Sequence, residues 1–154
     1  EVDIAGEIIE QVLDLGRIAM ASEMLGNTEE AFEITVSYLK ERKQFGVLIG
    51  SFQALQHRAA KMFCEIELTK SAVLAAMHAA DENSNELDRL SSLAKFQAGE
   101  TLPLVSNEAI QMHGGIGVTD EYDIGFYLKR ARVAEQIFGT SEYHQARYAD
   151  ISGF

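Results

Sequence analysis

Four histidines, a single cysteine, a glycine cluster and a short arginine-containing motif are the residues here whose types and spacing bear on chemistry. Helical bundles build di-iron centres from Glu-x-x-His pairs. The residues three positions before His57, His78, His113 and His144 are Ala54, Ala75, Ile110 and Ser141, so that pairing is missing and no metal site is expected. Cys64 falls on an apolar helical face and is expected to be a buried structural thiol. One cysteine allows neither an internal disulfide nor a Cys-rich zinc site. His113-Gly-Gly-Ile-Gly117 has two readings. It can end a helix, since glycine tolerates the left-handed cap. Three glycines in four positions exceed what one cap needs, and they would also let a flat or charged ligand approach the backbone closely. Arg42, followed by Gln44-Phe45-Gly46, can be a solvated cation at a helix end or a partner for phosphate. Asp14 and Arg17 are spaced as a helix ion pair, and they too can be solvated or part of a site.

Helices must position these groups. Ile4, Ile8, Ile9, Val12, Leu13, Leu15, Ile18, Met20, Met24 and Leu25 follow three-and-four spacing, continued by Phe32, Val36 and Leu39. This predicts one helix from about residue 3 to 41, about 57 Å long at 1.5 Å per residue. A second helix is predicted over about 51–78, its inner face carrying Phe52, Leu55, Ala59, Met62, Phe63, Ile66, Leu68, Val73 and Met77. Residues 81–85 form a loop in which Asn83 and Glu86 have the side chains of a capping box. A third helix is expected over about 85–112, kinked or broken at Pro103. Thr119 can cap a fourth helix with Asp120, Glu121 and Asp123 in its first turn, and a last helix covers about 141–150. No strand pattern of useful length occurs. The expected fold class is all-α, an up-and-down bundle of three long and two short helices.

Length gives a prior of one domain for these 154 residues. The apolar fraction is 47%, which excludes a disordered chain. With 13 Lys and Arg against 24 Asp and Glu, the formal charge is −11. Such a surface repels phosphate backbones and argues against nucleic acid and anionic lipid as partners. No apolar run reaches the roughly 18 residues that a membrane span needs. No signal segment opens the chain. Together with the single cysteine this fits a reducing compartment, the cytoplasm or, in a eukaryote, the mitochondrial matrix. The sequence begins without Met and already inside a periodic pattern, so it is read as a piece of a longer protein.

The motifs, taken in order, resemble the C-terminal helical domain of the acyl-CoA dehydrogenases, flavoenzymes that oxidise the Cα–Cβ bond of acyl-CoA thioesters. The resemblance rests on Tyr38-Leu-Lys-Glu-Arg-Lys-Gln-Phe-Gly46, Phe52-Gln53, Gln111-Met-His-Gly-Gly-Ile-Gly117 and Gly139-Thr140-Ser-Glu142, with Asp14-Leu-Gly-Arg17 as a further match, and it spans nearly the whole chain. It implies that residues 1–154 are a single C-terminal domain, with the family's N-terminal helical and middle β-domains outside this chain. It implies FAD as cofactor, held at a subunit interface. Arg42, Phe45 and Gln53 would approach the flavin held mainly by a neighbouring subunit, and Gln111, Gly114 and Gly115 would meet the same FAD from another subunit. Thr140 and Glu142 would lie near the FAD bound with their own chain. Asp14 and Arg17 would lie by the acyl-CoA. Implied partners are an acyl-CoA substrate, further subunits of the same or a different kind, and an electron-transfer partner.

The resemblance fails at the base. Most of the family places a Glu directly before the Gly-Thr of the last motif, where this chain has Phe138. A minority places it directly before the Arg of the first helix, where this chain has Gly16. Neither residue accepts a proton, so no catalytic residue is assigned. Three accounts stay open: a non-catalytic subunit beside a competent one, another carboxylate such as Asp14, Glu135 or Glu23, or other chemistry on an acyl-CoA-like ligand. An oligomerisation module without cofactor is the reading from a different class.

Overall fold

The structure, a computed structural model, describes residues 2–154, with side chains from residue 4 onward. It contains α1 (Val2–Glu41), α2 (Gln53–Asp81), α3 (Leu87–His113), α4 (Ile124–Gln136) and α5 (Ser141–Ser152). Three are long and two short, as the spacing predicts. A two-stranded hairpin, β1 (Lys43–Gln44) antiparallel to β2 (Val47–Leu48), joins α1 to α2 through a 3₁₀ turn at Ile49–Ser51. Strands of two residues are too short for an alternating pattern to register, which is why the sequence does not announce them. At the hairpin tip Phe45 and Gly46 both have positive φ, 53° and 81°, the signature of a turn whose twist matches antiparallel strands.

The central element is α3, which packs against all four other helices. Its buried faces are built mostly from small residues, among them Ser91, Ser92, Ala94, Ala98, Gly99 and Thr101, and these let neighbouring helices approach closely. On α1 the buried stripe runs through Asp14, Arg17, Ile18, Ala21, Met24, Thr28, Ala31, Thr35 and Leu39. The hydroxyls of Thr28 and Thr35 are satisfied within the helix by donating to the carbonyls of Met24 and Ala31, each at 2.7 Å. Of the expected kink or break at Pro103, the break does not occur, since α3 runs continuously through it.

Apolar periodicity assigned several residues to the wrong side. Ile4, Ile8, Ile9 and Val12 are all more than half exposed, so the stripe of α1 meets no neighbour before about residue 14. On α2 the buried line is Met62, Ile66, Thr69, Val73, Ala76 and Ala79, while Phe52, Phe63, Leu68 and Met77 face outward. Thr69 belongs to the inside because its hydroxyl meets that of Thr101 on α3 at 2.8 Å. Cys64 is exposed, contrary to expectation, because it stands two residues, about 200° around the helix, from both Met62 and Ile66 of this line. Two expected caps also fail. Asn83 adopts φ 48° and makes no capping bond, and α3 starts at Leu87 with no side-chain cap. Thr119 donates back to the Ile116 carbonyl at 2.7 Å, closing the 3₁₀ turn Gly114–Val118, and α4 begins only at Ile124.

Candidate functional site

The residues of interest gather at opposite ends of α3. At its C-terminal end an open cleft of about 650 Å³ is lined by Tyr38 and Arg42 from the end of α1, Gln44 and Phe45 from the hairpin, and Gln111, His113, Gly114 and Gly115 from the end of α3. Arg42 is exposed and makes no ion pair among the described residues, so its guanidinium is available to an anion. Phe45 is 91% exposed and held at positive φ, an arrangement that costs both strain and solvation unless something covers the ring. The wall behind is rigid. His113 is buried and donates from Nδ1 to the Ala109 carbonyl at 2.7 Å. Its ring stacks on Tyr38 with centroids 4.3 Å apart, and burial pushes its pKa down, so it stays neutral.

The glycines at this end separate the two sequence readings. Gly114 has φ 67° and ψ −143°, a conformation open essentially to glycine alone, so the helix end itself requires it. Gly115 has no such need. Its φ is ordinary, and a Cβ built there meets nothing within 4 Å. The fold would accept a side chain at residue 115, so the fold does not require glycine there. An unpaired guanidinium, a bare main chain, a side-chain amide from Gln111 and an uncovered aromatic ring form a donor set that fits a dinucleotide carrying a pyrophosphate and a flat base.

The other end of α3 is closed and charged. Asp14, 3% exposed, accepts from Arg17 at 2.7 Å, from Ser91 at 2.6 Å and from Arg147 at 3.3 Å. Arg147 also donates to the Asp88 carbonyl and the Ser92 hydroxyl, both at 2.6 Å. Arg17, 4% exposed, reaches Glu10 at 3.2 Å and the Tyr143 hydroxyl at 3.5 Å. Burial opposes the Arg17 charge, but Asp14 and Glu10 outweigh it and its pKa is raised. The pair is therefore a buried network, and the solvated-pair reading is wrong.

Above this network the chain turns from α4 into α5. Phe138 and Gly139 have φ of 62° and 108°, and their carbonyls are gripped from below. His144, fully buried, donates from Nε2 to the Phe138 carbonyl at 2.9 Å. Lys95, also fully buried, donates to the carbonyls of Gly139 at 2.9 Å and Glu135 at 3.1 Å. Desolvation pushes Lys95 down to about 8 and His144 down to about 4. The Phe138 ring lies on Gly16, and a Cβ built at residue 16 would fall 2.7 Å from its Cζ. The two positions where the resemblance seeks a base are thus adjacent in space.

Of the sequence-predicted residues, Arg42, Phe45, Gln111, Gly114 and Gly115 share the open cleft within one chain, although the resemblance assigns them to different subunits. Gln53 is exposed at the start of α2. Asp14, Arg17, Thr140 and Glu142 belong to the closed end, with sixteen residues of α3, about 24 Å, between Lys95 and Gln111. Thr140 caps α5 by accepting from the Tyr143 amide at 3.4 Å, and Glu142 is exposed in its first turn. Sequence reasoning missed Lys95, His144, Ser91 and Arg147, whose polar types on helices read as solvated until the helices are packed. Among the alternative carboxylates, Glu23 is held by Arg130 at 2.6 and 2.9 Å, which lowers its pKa. No group of residues able to hold a metal occurs among the described residues.

Comparison with known proteins bears on the whole arrangement. The family described as "Acyl-CoA dehydrogenase, C-terminal domain" matches residues 6–151. Acyl-CoA dehydrogenase IpdE2 of Mycolicibacterium smegmatis is 38% identical over 126 residues, covering 82% of this chain and 39% of that protein. Caffeyl-CoA reductase-Etf complex subunit CarC of Acetobacterium woodii is 36% identical over 135 residues, covering 88% of this chain and 35% of that one. The structure of butyryl-CoA dehydrogenase from Megasphaera elsdenii superposes with a TM-score of 0.92 at 29% identity, covering 96% of this chain and 38% of that one. The chain therefore spans about two fifths of the relatives it matches.

Proposed function

Because this chain belongs to the acyl-CoA dehydrogenase family, whose C-terminal domain it matches, we propose that it is one domain of a flavin-dependent enzyme oxidising the Cα–Cβ bond of an acyl-CoA thioester. Its part is to build the FAD interface and the assembly surface. The observation that carries this reading is the open cleft, where Arg42 and Phe45 face Gln111 and Gly115, and where the fold itself gives no reason for glycine at residue 115. Arg42 neutralises the pyrophosphate, the amides at 114–115 come within reach of its oxygens, and the Phe45 ring covers an aromatic face. Gln53 and Gln111 add side-chain amides. FAD, when bound, supplies the hydride acceptor. At the closed end Thr140 and Glu142 meet the flavin bound with their own chain. The Glu142 carboxyl is held below its usual range by its own amide and by Thr140, so it remains an anion that accepts from hydroxyls and repels phosphate. Asp14 and Arg17 form the floor by the acyl-CoA.

A second reading, the non-catalytic subunit of a heteromeric dehydrogenase, is favoured by the state of the acids. Phe138 and Gly16 stand in both base positions, Asp14 is shared by two guanidiniums, and Glu23 is taken by Arg130. Loss of a general base costs about 10²–10⁴-fold, so with both usual positions empty this domain contributes binding and assembly rather than the base. An electron-transfer partner agrees with the Etf complex named for one relative.

The test is the Gly115→Val variant of the full-length protein. Since the fold has room at that position, the unfolding midpoint stays unchanged while bound flavin, read by absorbance per protein, falls at least tenfold. Unchanged flavin overturns the interface. A full-length wild type that is colourless points instead to a helical oligomerisation module.

A further inference from the structure

Phe138 is placed with more effort than a loop residue needs. Its φ of 62° is a conformation that disfavours any side chain, and it is followed by Gly139 at 108°. Two fully buried side chains are committed to holding this pair: His144 grips the Phe138 carbonyl and Lys95 the Gly139 carbonyl. Neither has a carboxylate as hydrogen-bond partner, so each was desolvated for backbone contacts alone. The product of this arrangement is one ring, seated on a glycine. A Cβ at residue 16 would stand 2.7 Å from Phe138 Cζ and 2.8 Å from Cε1, so with any other residue there the ring would have to swing from its seat. Gly16 otherwise sits mid-helix, where glycine costs about 1 kcal/mol relative to alanine. The ring still presents 40% of Phe138 to solvent, so it is the visible lining of this end of the molecule.

We infer that Phe138, clamped by Lys95 and His144 onto Gly16, is a specificity-determining plug that closes the thioester end of the acyl site in this chain. This rests on the acyl-CoA dehydrogenase reading and extends it. The ring at the first base position lies directly against the second, so one side chain occupies the space in front of both. A thioester reaching this end meets an apolar ring where it needs a proton acceptor and space. Lys95 and His144 are positioning residues, acting through the backbone carbonyls of 135, 138 and 139.

The experiment measures binding of a 3-thiaacyl-CoA, whose β sulfur cannot give up a hydride, to the full-length protein by calorimetry. Phe138→Gly removes the ring and suits the positive φ, so the loop keeps its path. The expected result is at least tenfold tighter binding in Phe138→Gly than in wild type. Equal or weaker binding in the variant overturns the plug. A second measurement reads the contact itself: Gly16→Ala lowers the unfolding midpoint in the wild-type background and leaves it unchanged or raised in the Phe138→Gly background. The same shift in both backgrounds overturns the steric link. Flavin absorbance, recorded on the same samples, reports separately on the interface at the other end of α3. Its absence counts against the flavin reading, while the thioester titration still decides the plug.

Discussion

The two ends of α3 solve opposite problems with similar residues. At the C-terminal end an arginine, a histidine, an aromatic ring and glycines surround open space; Arg42 makes no ion pair among the described residues, and Phe45 touches only the edge of Phe52 and stays 91% exposed. At the N-terminal end arginines, a histidine, an aromatic ring and a glycine pack against one another, beside a smaller cavity of about 350 Å³ bordered by Asp14 and Arg147. There Asp14 binds both guanidiniums, and Phe138 fills the position above Gly16. A polar group with no partner on the surface costs the fold nothing, because water serves it. One in the interior must be paired. The open end therefore leaves its cation and amides free, while the charges of the other end are matched within the fold.

The contrast yields measurable differences. The largest lies in the buried network: Asp14→Ala leaves Arg17 and Arg147 without their shared anion, and a loss of about 3–5 kcal/mol in unfolding free energy is expected. A loss below about 1 kcal/mol would mean that water already screens the cluster. Next comes acid. His144 sits neutral with its pKa lowered to about 4 from 6.5, first by burial and further by the nearby cations Lys95, Arg17 and Arg147, against the pull of the Phe138 carbonyl. The unfolded chain takes up that proton near 6.5 and the folded one only near 4. Stability from this residue is complete above the first value and lost as pH falls toward the second. Unfolding midpoints measured across that window should fall steadily in wild type and less in His144→Gln, which keeps a donor for the Phe138 carbonyl. Equal slopes would assign the acid sensitivity elsewhere. The smallest effect is at the open end, where Arg42→Ala changes unfolding free energy by no more than about 0.5 kcal/mol while reducing flavin retention. A large destabilisation there would erase the distinction between the two ends.

Much of the fold was readable without coordinates. Long apolar periodicity and a nearly proline-free sequence led to five helices in the right order, and the glycine cluster marked the end of α3. Ordered motifs pointed to the family that the comparisons show. The residues lining the open cleft stood out too, since a glycine surplus and an arginine beside an aromatic are local patterns, but their meeting within one chain did not. The closed end was not. Nothing in the types of Lys95, His144 or Arg147 distinguishes a buried donor from a solvated one. Asp14 and Arg17 have the spacing of an ordinary surface pair. The same blindness put Cys64 inside and Ile8 in the core, since hydrophobicity does not say which face a neighbour will cover.

By itself the sequence determined what depends on neighbours along the chain: helix formation, a helix end marked by glycine, and the net charge. Packing decided which residues lost water. That choice belongs to no single helix, because burial requires a second surface close enough to exclude solvent. Residues such as Thr69, Ala98 and Ser91, unremarkable in the sequence, set how closely the surfaces meet. Gly16 and Phe138, far apart along the chain, came into contact for the same reason.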